Sequence, residues 1–268
     1  MRTALRYAAL ALIAALPLSA QAHKTWLLPS DTVLSSEKVW ITVDAAVSND
    51  LYYFNHVPLR LDALSVTAPD GSAVSAQNAH TGQLRSVFDL ELSAAGTYRI
   101  ALASNGLFAS WEEGGEPKRW RGRAQDFASQ VPTGADKLQV THAQNRIETF
   151  VTLGRPSREN IAPAAQGLSL EFVGHPNDLM VGDTAEFRLL LDGAPAADAA
   201  VEVVNGGTRY RDAQQAMTLR TDDTGAFAVT WPSAGMYWLQ ANVSDAKAAV
   251  APATQRRASY VVTLEVLP

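Results

Sequence analysis

From residue 23 onward, apolar and polar residues alternate in short runs, and no long stretch repeats at the three-to-four-residue spacing of an amphipathic helix. In the run 38–47, Val39, Ile41 and Val43 share one face. In 84–92, Leu84, Ser86, Phe88, Leu90 and Leu92 do the same. Pro69-Asp70-Gly71 and Ala95-Gly96 punctuate these runs as turns would. The segment 138–153 reads as one long strand or two. Beyond residue 167 the pattern predicts seven strands, at 168–173, 183–191, 199–204, 217–220, 226–231, 236–243 and 259–266. Asp192-Gly193, Gly206-Gly207 and Asp222-Asp223-Thr224-Gly225 mark the turns between them.

This periodicity predicts an all-β protein of two β-sandwich domains in tandem, the second immunoglobulin-like or transthyretin-like. The first sandwich spans 23–153 and the second 168–268. Residues 154–167, with Gly154, Pro156, Pro163 and Gly167, read as an extended linker between them. Residues 104–137 alternate little and carry Trp111, Trp120, Glu112, Glu113, Glu116 and several arginines. They are expected to form a long surface excursion with little sheet of its own.

The first 22 residues follow different rules. Arg2 and Arg6 precede an apolar run rich in Ala and Leu, and Ala20-Gln21-Ala22 offers a small-x-small cleavage site. That pattern is a cleavable signal peptide, too short to span a bilayer, and it directs the mature chain to the periplasm. No later stretch is long and apolar enough to make a membrane helix. Loss of Arg2 and Arg6 would take the net charge from −5 to −7. An acidic chain is poorly suited to nucleic acid. The chain has no cysteine, so thiolate sites and disulfides play no part, and any metal ligand must be His, carboxylate, Met, amide or backbone.

Cleavage after Ala22 would leave His23 with a free α-amine beside its imidazole. Such an amine loses its proton near pH 8, so the pair can chelate Cu(II) or Ni(II). His56 lies in the aromatic run Leu51-Tyr52-Tyr53-Phe54-Asn55-His56, with Asp44 and Asp50 upstream. Two imidazoles and an amine would make a three-nitrogen site, with Asp44 or Asp50 as a fourth ligand or as orienting acceptor of an imidazole N–H. A packed loop histidine is the plainer reading of His56. His80 falls in a polar loop and reads as solvated, His142 lies on a strand, and His175 reads as a turn residue rather than a ligand. The sequence holds no nucleophile elbow, phosphate loop or His-Glu-x-x-His, so no enzyme class is indicated.

The start His23-Lys24-Thr25-Trp26-Leu27-Leu28-Pro29 resembles a bacterial periplasmic family known as domain of unknown function 4198. The segment 177–183, Thr221 to Phe227, and the Pro232 to Leu239 run (PSAGMYWL) extend that resemblance over most of residues 23–268. The resemblance implies a periplasmic component of cobalt or nickel uptake, with His23 as ligand and a transition-metal ion (Cu, Ni or Co) as cofactor. A partner would be an outer-membrane receptor or an inner-membrane permease. Two other functions fit the same residues. One is an interaction module that uses Tyr52, Tyr53, Trp111 and Trp120 as a docking face. The other is a copper enzyme built on a histidine brace.

Overall fold

The computed structural model describes residues 23–268, and the leader inferred at residues 1–22 lies outside them. In the first half the alternating runs become β1 (Lys24–Pro29), β2 (Val33–Leu34), β3 (Val39–Ser48), β4 (Val57–Pro58), β5 (Leu64–Thr67), β6 (Gln77–Thr81) and β7 (Ser86–Leu92). β8 (Gly96–Glu113), β9 (Glu116–Gly122), the short helix α1 (Ala124–Gln130) and β10 (Asp136–Leu153) follow. The second half contributes β11 (Leu168–Phe172), β12 (Thr184–Leu191), β13 (Ala194–Pro195), β14 (Ala200–Asn205), β15 (Met217–Arg220), β16 (Ala226–Thr230), β17 (Gly235–Asp245) and β18 (Gln255–Val266). Each of the seven strands expected after residue 167 is present.

These strands form three sheets, and the middle one belongs to both halves of the chain. Its order is β15-β14-β17-β18-β10-β8-β5, with β9 added at β8 and β2 at β10. A five-stranded sheet of β1, β3, β7, β6 and β4 covers one end of it, and a four-stranded sheet of β11, β12, β13 and β16 covers the other. The first core packs Trp26, Phe88, Tyr98 and Ile100 with Val261 and Trp238 from the second half. The second packs Phe187, Trp231, Tyr237 and Tyr260 with Phe150 from the first half. The two sandwiches are thus fused rather than strung on a linker. Residues 154–167 are packed down too. Ile161 is buried, and the Arg158 guanidinium donates to the carbonyls of Phe172, Val173 and Gly174.

The joint between the halves is a parallel pairing of β10 with β18, from Thr141 opposite Gln255 to Thr149 opposite Thr263. From Ile147 onward both faces of the sheet are covered, so alternation of burial disappears. Every residue from Ile147 to Leu153 is buried, as expected for strands enclosed on both sides. Ile147 and Val151 enter the first core while Phe150 enters the second. The same enclosure traps a carboxylate. Glu148 is 0% exposed and accepts hydrogen bonds from Arg99 Nε (2.9 Å), Arg99 Nη2 (3.0 Å), Arg146 Nη1 (3.0 Å) and the Tyr260 hydroxyl (3.0 Å). Burial and the neighbouring carboxylate push the Tyr260 phenol up.

A second polar knot ties the linker to both halves. His175 Nδ1 accepts the Asn177 backbone N–H at 3.1 Å. That leaves Nε2–H to donate toward Thr97 Oγ1 (3.0 Å) and the Ser157 carbonyl (3.1 Å). The Thr152 hydroxyl joins Thr97 to Asn177, whose amide donates to the Phe150 carbonyl. Burial holds the His175 imidazole below its ordinary pKa; nearby Arg158 works the same way, while the Ser157 carbonyl and Asp178 oppose it.

The excursion at 104–137 differs from its expected form. It carries sheet of its own. β8 continues to Glu113, turns at Gly114-Gly115 and returns as β9, after which α1 packs on the arm. Both glycines have positive φ, +61° and +84°, the left-handed geometry that tight hairpins need and that side chains resist. Trp120, Phe127 and Trp111 pack on a small cluster of Leu107, Ala109, Val131 and Val140. The arm shows no clean alternation in sequence because much of it is exposed on both faces.

Two predictions follow from the fused sheet. Glu148→Ala strands two guanidinium groups and a phenol at the centre of the fold, and it is expected to lower the unfolding free energy in urea titration by about 3 kcal/mol. His175 is held neutral when folded, so its contribution is present above the ordinary histidine pKa near 6.5 and is lost as pH falls through the depressed folded value. Urea midpoints measured from about pH 7.5 to 5 should therefore fall with acidification. The fall should be shallower in His175→Asn, with buried His142, also held below its ordinary value by burial and Arg256, accounting for part of the remainder.

Candidate metal centre

β1 lies against β3 with Lys24 opposite Ser48 and Trp26 opposite Ala46. β4 lies on the other side of β3, with Val57 opposite Val47 and Pro58 opposite Ala46. His23 immediately precedes β1 and His56 immediately precedes β4, so the two histidines flank the same end of β3. The loop 49–56 folds back to close the gap. Its hinge residue Tyr52 has φ +61°, a left-handed conformation held by packing. Trp26 donates its indole N–H to Ser48 Oγ at 2.8 Å, with Tyr52 set edge-on at 5.4 Å and Phe54 tilted at 5.6 Å. Asn55 locks the loop ends. Its Oδ1 accepts the Asn49 backbone N–H and its Nδ2 donates to Asp50 Oδ2, both at 2.9 Å.

The result is a pair of exposed imidazoles in face-to-face contact. The rings of His23 and His56 stand 3.9 Å apart, with planes inclined by 8°. Parallel rings hold their nitrogens side by side, with lone pairs that do not converge on one point. Joint coordination of one ion thus needs one ring to turn about its side-chain bonds, and neither is buried. The donor chemistry fits copper or nickel, which favour imidazole and amine nitrogen. The third nitrogen exists only after cleavage at Ala22, which converts the His23 peptide nitrogen to an amine. Among the described residues, no group of three or more His, Asp or Glu side chains is gathered for a metal.

The two carboxylates expected near this pair part company. Asp50 lies in the loop of His56 through its bond to Asn55. Asp44 sits opposite Leu28, four residues along β3 from Ser48, which is roughly 13 Å of strand. There it pairs with Arg85 at 3.3 Å; burial raises its pKa and the guanidinium partly offsets this. The Arg85 guanidinium lies 4.3 Å over the Phe54 ring. Asp44 therefore acts on the loop through Arg85 and Phe54, away from the imidazoles.

The second sandwich buttresses the site, a role that the local sequence does not signal. Lys24 Nζ pairs with Glu202 at 3.0 Å and lies 4.1 Å over the Trp238 ring. Trp238 donates its indole N–H to the Thr25 carbonyl at 2.9 Å. Tyr53 meets Arg209, and Gly206 packs so closely on Tyr52 that a Cβ there would come within 3.2 Å of the ring. The other histidines lie elsewhere. His80 is exposed on β6, His175 holds the linker knot, and buried His142 bonds Asn105 Oδ1 at 2.5 Å. Tyr52 and Tyr53 belong to this loop, whereas Trp111 and Trp120 pack on the distant arm, so the four aromatics form no single face.

Asn55→Ala removes two hydrogen bonds from the loop and is expected to cost about 1 kcal/mol of stability. Its larger effect should be on the stack, read as loss of the ring-current shifts that His23 and His56 impose on each other in proton NMR.

No curated protein matches the chain. Similar solved structures include the D0-D1 domain of intimin, at 11% identity and TM-score 0.23, covering 90% of this chain and 97% of that one. A DUF3823 family protein from Bacteroides uniformis is 11% identical with TM-score 0.24, covering 91% and 99%. Among the described residues no helix is long and apolar enough to cross a membrane. A family model described only as a domain of unknown function, with no metal in its description, matches residues 20–245, and the chain belongs to that family, DUF4198.

Proposed function

We propose that this chain is an exported periplasmic protein that binds a transition-metal ion, copper, nickel or cobalt, through His23 and His56, as an accessory to metal uptake. The observation that carries the reading is the 3.9 Å contact between two exposed imidazoles far apart in sequence. A packed loop histidine would be buried, and these two are exposed. Cleavage after Ala22 would add the His23 amine to the two imidazoles as a third nitrogen donor. Asp50, bonded to Asn55 in the same loop, would have to move to serve as an oxygen donor or as an acceptor for the His56 N–H, since no three such side chains are gathered among the described residues. Solvent access on one side of the pair leaves room for exchange with a receptor or permease, which suits delivery better than storage.

The test is Cu(II) titration of the protein beginning at His23 against the same protein with its N-terminal α-amine acetylated, since an added residue would only supply a new amine. Capping the amine, or the substitution His56→Ala, is expected to weaken Cu(II) binding by at least about tenfold, with a change in the visible absorption of the bound ion. Equal affinity in the free-amine and acetylated proteins would overturn the terminal-amine site. Intact mass of the exported protein, expected to begin at His23, checks the cleavage on which it depends.

A further inference from the structure

A cavity of about 460 Å3 opens over the face of the shared sheet near the arm, and it includes none of the residues of the histidine pair. One row of directly paired residues crosses its floor: Arg121 of β9, Phe108 of β8, Thr141 of β10 and Gln255 of β18. Directly paired residues share a sheet face. The adjacent row is Gly106, Ala143 and Arg257, in which Ala143 gives the cavity floor only a methyl group. Gly106 has no freedom to be larger, since a Cβ would lie 2.7 Å from the Gly122 carbonyl oxygen.

Two exposed guanidinium groups thus stand at opposite sides of an aromatic floor. Three strand spacings and two residues of rise separate their backbones by roughly 16 Å, within the combined reach of two arginine side chains on one bound molecule. No Asp or Glu lines the cavity. Neither Arg121 nor Arg257 takes part in an ion pair among the described residues. Neighbouring Arg256, by contrast, is neutralised by Asp192 and Asp245. Uncompensated positive charge around a concavity stands out in a chain whose net charge is −5, and guanidinium forks match carboxylate and phosphate oxygens in geometry. The volume falls in the range of small-molecule sites.

We propose that this cavity binds a small anion bearing carboxylate or phosphate groups, clasped between Arg121 and Arg257 over Phe108. The probes are citrate, inorganic phosphate and, separately, vesicles of anionic phospholipid. Calorimetry should give saturable binding of citrate or phosphate. Arg121→Gln and Arg257→Gln should each weaken it about tenfold or more. Arg155→Gln, which removes the same charge from an exposed position outside the cavity, should leave it unchanged. Both cavity variants alter exposed side chains, and an unchanged thermal midpoint verifies that they fold. The proposal is overturned by no saturable binding of either small probe up to about 10 mM, by equal loss in all three variants, or by binding to vesicles alone.

Discussion

Thr141 to Thr149 of β10 run parallel to Gln255 through Thr263 of β18, and this seam makes one sheet out of two sandwiches. Parallel pairing requires a long return of the chain, and here the whole second sandwich supplies it. Because the seam from Ile147 onward is enclosed on both faces, its residues there must satisfy two cores at once, and the polar groups among them must be satisfied within the protein. Glu148 meets that demand with two arginines and a tyrosine, each drawn from β8, β10 or β18. The network holds the strands in register where hydrophobic alternation cannot.

The histidine pair inherits its rigidity from the same arrangement. β1 is held on one side by β3 and on the other by Glu202 and Trp238, which lie on strands of the shared sheet. The loop carrying His56 leans on Trp26 and on Gly206 of the second half. Two surface imidazoles would otherwise be independent side chains, each with its own rotamer entropy to lose on meeting an ion. Here much of that positioning is already built in, and coordination of one ion by both rings would require the stack to open.

Charge is distributed with comparable division. The acidic chain places Asp50 beside the histidine loop and leaves the far concavity with arginines alone. A cation and an anion would therefore meet different surfaces of one molecule.

Alternation in the sequence was enough to set the fold class, the seven strands after residue 167 and the early strands of the first half, because a face turned to a core must be apolar at every second residue. The sequence marked His23 and His56 as candidate donors but could not show that they meet; their proximity follows from β1 and β4 both pairing with the same end of β3. What alternation could not carry is anything decided by two-sided burial or by partners distant in the chain. The fusion through β10 and β18 is hidden in a segment that passes from half-exposed to uniformly buried residues. The arm at β8 and β9 is hidden by exposure on both faces, with Gly114-Gly115 its only local mark. The separation of Asp44 from Asp50 follows from strand register, where six residues of sequence become an extended strand and a turn. The approach of the second sandwich to Lys24 and Tyr52 depends on packing between elements some 150 residues or more apart, which no local pattern encodes.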